Sequence, residues 1–427
     1  MRKNANIDRR SLLKIGGGSL AALGLTAAGC GGSGSGSGGP VTIRYAWWGS
    51  EDRAQRINQS IRLFEKKFPK IKVKTDFQPY LDFWKKFNTQ ASGGNPPDVF
   101  QNAIGFLRKY DAKNVLLDLH AQAGAGNLDL GNFRAGLEKF GEVDGRLLGV
   151  PVGSNSMAFV IDKPVFEKAG IAPEMGWTWD DFDAALRGIR QTQKMAGDSG
   201  MYGVMYAYDL YLRQQGKAFF SGKGLGFTEA DLTAWWTKAS AGVRSGIFAD
   251  PKKVAQVKPK SAVSAKLAAG EFTWDNFIVR YTSEGQSDYG LAPIPTTDGK
   301  RTGQYLGSLM LSASKRTKHP AEAAQFINFM VHDPEVGRIM GYDRGVLATT
   351  EQYDAFQPTD AINKQIAAYE KQLVDARVLE PITVHPAGSD IAEAAFLRVA
   401  EELALGRRSV DEAVEMYFTE TKTAFSA

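Results

Sequence analysis

Hydrophobic residues change their period several times along the chain, and each change marks an element. Val41, Ile43 and Tyr45 alternate with polar positions and run into Trp47-Trp48-Gly49-Ser50, the pattern of a strand ending in a turn. Ser50 followed by Glu51 and Asp52 predicts an N-cap and an acidic first helical turn. Ile57, Ile61, Phe64 and Phe68 then recur at helical spacing until Pro69 stops the helix. Alternation returns at Ile71, Val73, Thr75 and Phe77, and a second helical pattern covers 82–91. Gly93-Gly94-Asn95-Pro96-Pro97 breaks it, and Asp98-Val99-Phe100 predicts a third, short strand. Strand, helix, strand, helix and strand in that order predict a parallel α/β beginning.

Farther along, Asp144-Gly145 marks a turn, Leu147 to Pro151 and Met157 to Ile161 read as strands, and a small-residue helix is predicted over 262–270. Capping boxes announce three helices: Thr178 with Asp181, Thr228 with Asp231, and Ser409 with Glu412. Ser389 with Asp390 opens another, carrying Ile391, Ala395 and Val399 on one face and closed by Gly406. The whole reads as two α/β lobes with a helical C-terminal third.

Composition narrows the class. A length of 427 residues corresponds to two or three domains at ~150 residues each. With 23% charged and 43% hydrophobic residues, neither wholesale disorder nor a multi-span membrane protein fits. The single cysteine, Cys30, excludes an intrachain disulfide and a thiolate metal cluster. The net charge is +5, but Arg2, Lys3, Arg9, Arg10 and Lys14 against Asp8 place most of it in the first 29 residues. The remainder is nearly neutral, so a phosphate-binding surface loses its main support and no nucleic acid partner is expected.

Residues 1–29 have the layout of an export signal: a charged start, a short apolar stretch and small residues before Cys30. Arg9-Arg10-Ser11-Leu12-Leu13-Lys14 resembles a twin-arginine signal, with general secretory export as the alternative. Ala27-Ala28-Gly29-Cys30 resembles a bacterial lipobox, which makes Cys30 the lipidated N-terminus; the other reading is an ordinary signal with an incidental cysteine. Residues 30–40 then form a Gly/Ser tether, whose Gly31–Gly39 coil spans about 15–18 Å end to end.

From Val41 to about Phe425 the chain resembles the extracellular solute-binding proteins of family 1, the sugar-binding lipoproteins of ABC importers. The resemblance is carried, in order, by Ile43-Arg44-Tyr45-Ala46-Trp47-Trp48-Gly49, Phe64-Glu65-Lys66-Lys67-Phe68-Pro69, Pro97-Asp98-Val99-Phe100-Gln101 and Asp144-Gly145-Arg146-Leu147-Leu148-Gly149-Val150-Pro151. Phe166-Glu167-Lys168-Ala169-Gly170-Ile171, Thr178-Trp179-Asp180-Asp181-Phe182 and the stretch 321–333 follow. It implies a two-lobe periplasmic-binding-protein-like α/β fold with the ligand cleft between the lobes. Lobe 1 is expected at 41–150 plus about 300–347 and lobe 2 at 151–299 plus about 348–427, with crossings near 150–151, 296–300 and 345–350.

Sugars present apolar C–H faces rimmed by hydroxyls, so indole planes together with amide, carboxylate and guanidinium groups suit them. Trp47 and Trp48 end a strand at the carboxyl edge where α/β sheets bind ligands. Consecutive strand residues face opposite sides, so one is core and the other is in the cleft, and the pattern does not say which. Arg53 one turn later, Trp84 on the second helix, and Gln101 and Asn102 after the third strand are further candidates, the last two carried over from the resemblance. Asn155 past the first crossing, the cluster Trp274-Asp275-Asn276, and Asp343 with Arg344 before the last crossing complete the set. Trp177, Trp179, Trp235 and Trp236 are assigned to structure, while Tyr202, Tyr206, Tyr208 and Tyr211 form a tyrosine-rich region.

Catalytic signals are poor. His120, His319, His332 and His385 lie far apart and form no His-Glu-x-x-His pattern, so no metal is expected. Gly222-x-Gly224-x-Gly226 lacks the flanking strand of a dinucleotide fingerprint, and no cofactor is expected. The expected function is that of a non-enzymatic, monomeric receptor. It captures a carbohydrate, an oligosaccharide by resemblance, and delivers it to the transmembrane subunits of an ABC permease while anchored through Cys30 to the outer face of the cytoplasmic membrane. A surface-anchored glycoside hydrolase or lyase is the alternative, since carboxylate pairs are defined by distance in space.

Overall fold

The first strand forms where the alternation places it. The computed structural model describes residues 39–425 apart from 223, 259, 300–303, 307–308 and 382–383, so the candidates on 1–38, Cys30 among them, lie outside the described residues. Strand β1 (Val41–Trp48) leads into helix α1 (Glu51–Lys67), whose N-cap Ser50 accepts from the Arg53 amide at 3.2 Å. Strand β2 (Ile71–Gln78), helix α2 (Tyr80–Ser92), strand β3 (Val99–Ala103) and helix α3 (Ile104–Ala112) follow. Both β2 and β3 pair with β1 in parallel.

Two short strands, β4 (Val150–Pro151) and β5 (Gly153–Ser154), then carry the chain to β6 (Met157–Asp162). Helices α4 (Trp179–Gln193), α5 (Met205–Arg213) and α6 (Glu229–Ser245) come next, then strands β7 (Gly270–Trp274) and β8 (Tyr289–Ala292). The return strand β9 (Leu309–Ala313) precedes helices α7 (Pro320–His332) and α8 (Pro334–Met340). Strand β10 (Val346–Leu347), helices α9 (Thr350–Ala355), α10 (Ala361–Asp375), α11 (Ser389–Ala404) and α12 (Val410–Ala424) end the chain.

Two sheets result. The first has the order β2-β1-β3-β9-β4, so a strand from after residue 300 and one from before the crossing both join the N-terminal lobe. The second, β7-β6-β8, is antiparallel throughout. Strand β5 pairs with β10, Ser154 opposite Val346, so two crossing segments lie side by side between the sheets. The α1/α7 face of the first sheet has its own core, while a larger one runs from the opposite face of that sheet to the second sheet. Tyr45, Trp47, Phe64 and Phe326 pack on the α1/α7 face of the first, and Phe159, Phe182, Trp179 and Phe272 fill the second. This is the two-lobe α/β fold expected.

Local signals held where a side chain closes on its own backbone. All three capping boxes are present. Two expectations are corrected. Residues 262–266 form turns, because Ser261 Oγ accepts from the Ser264 amide at 2.9 Å and Lys266 takes a left-handed φ of 59°, closing the segment before a helix can propagate. Helix α11 is capped by left-handed Gly388 instead of Ser389, whose hydroxyl reaches across to the Gly105 carbonyl at 3.2 Å. Helix α9 packs on α8, and Gln352 Nε2 donates to the carbonyls of Met330 and Asp333.

Candidate functional site

The carboxyl edge of the first sheet gathers the N-terminal candidates, and burial sorts them. Trp47 is fully buried, stacked on Tyr45 at 4.9 Å between ring centroids and on Phe77 at 6.1 Å, which makes it core. Trp48 faces the opposite way, toward α2, where it meets Tyr80 (5.5 Å), Phe83 (5.1 Å) and Trp84 (5.2 Å). Trp84 lies flat on Phe106 at 3.8 Å. Tyr80, left out of the sequence reading, is partly exposed at the rim of this wall.

The amides after β3 divide. Asn102 is tied to Ser312 Oγ (3.0 Å) and to the Ala103 amide (2.8 Å), a structural role. Gln101 donates to the Trp48 carbonyl at 3.3 Å but leaves Oε1 buried and unpartnered. Asn155, on the crossing, donates to the Arg344 carbonyl at 3.3 Å and likewise leaves Oδ1 unpartnered, as does Ser156 with its Oγ.

Two expected contact groups are engaged within the protein instead. Arg53 is paired with Asp343, Nε to Oδ2 at 2.6 Å. Asp275 accepts from the amides of Ser156 (3.1 Å) and Asn276 (2.7 Å), while Asn276 Nδ2 donates to the Asp343 carbonyl at 3.1 Å. Asp275 and Asn276 therefore brace the crossing, and only Trp274 of that trio presents a ring, against Tyr206 at 5.2 Å. Burial pushes Asp275 up to about 7 and raises Glu370 well above its usual range, with the Asp275 charge adding to the latter. Ser154 Oγ lies 3.0 Å from both Glu370 carboxylate oxygens.

Lobe 2 adds side chains that the sequence reading passed over. His385 packs on Phe220 (4.8 Å) and Tyr206 (6.3 Å), and burial pushes it down to about 4, a neutral imidazole with Nδ1 unpartnered. Glu393 on α11 is pushed up to about 7 by burial and by Asp390. It is close enough to raise Tyr80 of lobe 1 and Tyr206 of lobe 2. Lys109 of α3 meets Asp390 of α11 at 2.6 Å, so the lobes are in contact at this rim. No periodicity signals His385 or Glu393; Glu393 shows itself only by its nearness to Tyr80 of α2, and His385 by its packing on Phe220 and Tyr206. Among the described residues no group of His, Cys, Asp and Glu has the makings of a metal site, and no helix is long and apolar enough to cross a membrane.

Arg344 stands apart. It is 2% exposed, and none of its three guanidinium nitrogens has a hydrogen-bond partner. Burial lowers its proton affinity, and the nearby charged or ionisable groups are Tyr45, Arg53 and Asp343.

The family model of the bacterial extracellular solute-binding proteins matches residues 48–335, more than half of the chain. A curated relative, an uncharacterized ABC transporter extracellular-binding protein of Pyrococcus horikoshii, is 23% identical over 221 residues, 47% of this chain and 48% of its own length. The match thus spans about half of that relative. Among solved structures, a periplasmic oligogalacturonide-binding protein of Yersinia enterocolitica in complex with saturated digalacturonic acid superposes with a TM-score of 0.77 at 21% identity, covering 90% of this chain and 100% of that one. An ABC substrate-binding protein of Listeria monocytogenes in complex with cycloalternan gives 0.75 at 19%, covering 90% and 99%. At these identities what is shared is the fold. With the family match over 48–335, the chain belongs to the bacterial extracellular solute-binding proteins.

Proposed function

We propose that the protein is the solute receptor of an ABC importer, closing its two lobes on an oligosaccharide and passing it to membrane permease subunits. One observation carries the sugar assignment. Along the junction of the lobes, aromatic side chains (Trp48, Trp84, Tyr206, Trp274) accompany buried polar atoms that have no partner: Gln101 Oε1, Asn155 Oδ1, Ser156 Oγ and His385 Nδ1. Buried polar atoms in native proteins are nearly always bonded, and a mixed set of donors and acceptors beside ring planes suits hydroxyls on a C–H face. The saccharides held by the Yersinia and Listeria proteins agree with this reading.

Lobe 1 comprises 41–150 and about 300–355, and lobe 2 the remainder to 427. Ligand shifts an open–closed equilibrium, as in the hinge-closing binding proteins. The protein is exported as a monomer, anchored by a lipid on Cys30, and has no catalytic role. Titration calorimetry against a panel of oligosaccharides, with mass spectrometry of material that co-purifies, tests the assignment. Binding of a saccharide that is recovered intact after long incubation is expected. Tight binding of a peptide or a metal and of no glycan overturns the reading, and cleaved product restores the hydrolase alternative. Labelled fatty acid should enter the wild type and not the C30A variant.

A further inference from the structure

Arg344 belongs to the same junction, and its surroundings define what it lacks. The residue follows Asp343 on the segment between α8 and β10, where the end of β1, the first turn of α1 and the crossing strands meet. The anionic and carbonyl groups around it are turned to other donors, and none of the acceptors near it is bonded to its guanidinium. Asp343 Oδ2 takes Arg53 Nε, and the Asp343 carbonyl takes both Arg53 (2.8 Å) and Asn276 (3.1 Å). The Arg344 carbonyl itself takes Asn155. Asp275 is held by two backbone amides, and Glu370 by Ser154. Arg53 and Asp343 neutralise each other, which leaves one uncompensated positive charge with its N–H donors buried. The Tyr45 hydroxyl, whose proton burial holds up to about 12, is unpartnered nearby.

A buried, unpaired guanidinium is among the costliest arrangements a core can hold. Its planar fork matches a carboxylate with two parallel hydrogen bonds. Resting on the receptor reading above, we propose that the solute is an acidic saccharide, of the uronic acid type, and that Arg344 takes its carboxylate when the lobes close. The anion then completes a bond set that the protein leaves open, and a neutral sugar of the same shape leaves the charge unpaired. Discrimination therefore comes from the penalty on the neutral sugar as much as from attraction to the acid.

The test is calorimetry on the exported protein with uronic acid di- and trisaccharides, their carboxyl-reduced neutral counterparts, and sulfated and phosphorylated sugars of equal length. The wild type should prefer the carboxylate form by about 10- to 100-fold, the range of a charge-assisted pair. In R344Q that preference should collapse, the acid form losing affinity and the neutral form gaining some as the penalty on it is lifted, and R344K should restore part of the preference. Melting of the unliganded proteins is the second readout. R344Q should melt at the same temperature or higher, because the substitution removes an unpaired buried charge; a structural brace would melt lower. Equal affinity of the wild type for acid and neutral forms, a preference that survives R344Q, or a stronger preference for sulfate or phosphate esters overturns the proposal. If no saccharide of any charge binds while another solute class does, the receptor-for-sugar reading fails first and takes this inference with it.

Discussion

Arg53 Nε lies 2.6 Å from Asp343 Oδ2, and the same guanidinium reaches the Asp343 carbonyl at 2.8 Å. That carbonyl also accepts Asn276 Nδ2. One backbone oxygen therefore joins the first turn of α1, a crossing segment and the lobe 2 residue that follows β7. Truncating Asp343 keeps that carbonyl but takes the carboxylate from Arg53, leaving a mostly buried cation without its counter-charge beside Arg344. D343A should cost about 1–3 kcal/mol in urea unfolding, and a double-mutant cycle with R53A should show coupling of about 0.5–3 kcal/mol. Additive single effects would mean that the pair contributes nothing to the hinge.

Trp47 and Trp274 should separate stability from binding. Trp47 is wholly inside the α1/α7 core, so W47A should cost about 3–5 kcal/mol. Trp274 is only half-buried beside Tyr206. W274A should weaken solute binding by about 10-fold or more and change the melting temperature far less than W47A does.

The strands and helices of lobe 1 were legible because their signals are local: alternation, a cap, a proline stop. The capping boxes at Thr178, Thr228 and Ser409 needed only three residues of context. The turns at 262–266 were not legible, since small residues suit a helix and a turn alike until Ser261 engages Ser264. The site was legible in residue type and only partly in role. That Trp47 turns inward and Trp48 toward α2 depends on which face α1 covers. Asp275 and Asn276 looked like ligand contacts until the crossing backbone they hold was in view. His385 and Glu393 reach the site from α11 and the segment before it, with nothing in their own neighbourhood to announce them.

Gly345 and Gly406 both have positive φ, 106° and 71°, but their surroundings differ. A Cβ on Gly345 would stand 2.3 Å from the Ser154 carbonyl oxygen, in the pairing of β5 with β10. A Cβ on Gly406 would meet nothing within 4 Å. G406A should cost about 1 kcal/mol, the backbone penalty alone. G345A should cost more than twice that in denaturant unfolding and should also disturb solute affinity, since the crossing strands must part. Equal costs would show that the crossing is looser than its geometry.

Stability should fall as pH rises through the weakly acid range. Burial pushes Asp198, Glu271 and Asp275 up to about 7 and Glu370 well above its usual range. The folded state therefore binds more protons than the unfolded chain, whose carboxyls titrate near 4. This stabilisation is complete below pH ~4 and is lost as pH climbs through about 7. The melting temperature should be higher at pH 5.5 than at pH 8, by about 5 °C. E271Q should shrink the difference, because burial of Glu271 outweighs the help its charge draws from Tyr281 and Arg280 and the substitution removes that titration. A flat profile between pH 5.5 and 8 would contradict these shifts.

Lys109 and Asp390 touch across the two lobes. Lys109 belongs to α3 beside the first sheet, and Asp390 to the first turn of α11 in lobe 2; Nζ and Oδ2 are 2.6 Å apart with each side chain about four-fifths buried. Lys109 also lies over the rings of Phe106 and Tyr110, at 5.6 Å from each centroid, which restricts its rotamers before the lobes close. A contact present in the closed form and absent in the open one shifts the equilibrium by its own free energy and nothing else. A partly buried ion pair of this kind is worth about 1 kcal/mol, which is about fivefold in the closed population. K109M keeps the stem over the rings and removes the charge. It should weaken solute binding by that factor through faster dissociation, with the association rate little changed, in stopped-flow fluorescence of the site tryptophans. The wild-type advantage should shrink as salt is raised, since the pair lies at the rim where ions reach it. An unchanged dissociation rate, or an effect insensitive to salt, would show that α3 and α11 meet without holding the lobes shut.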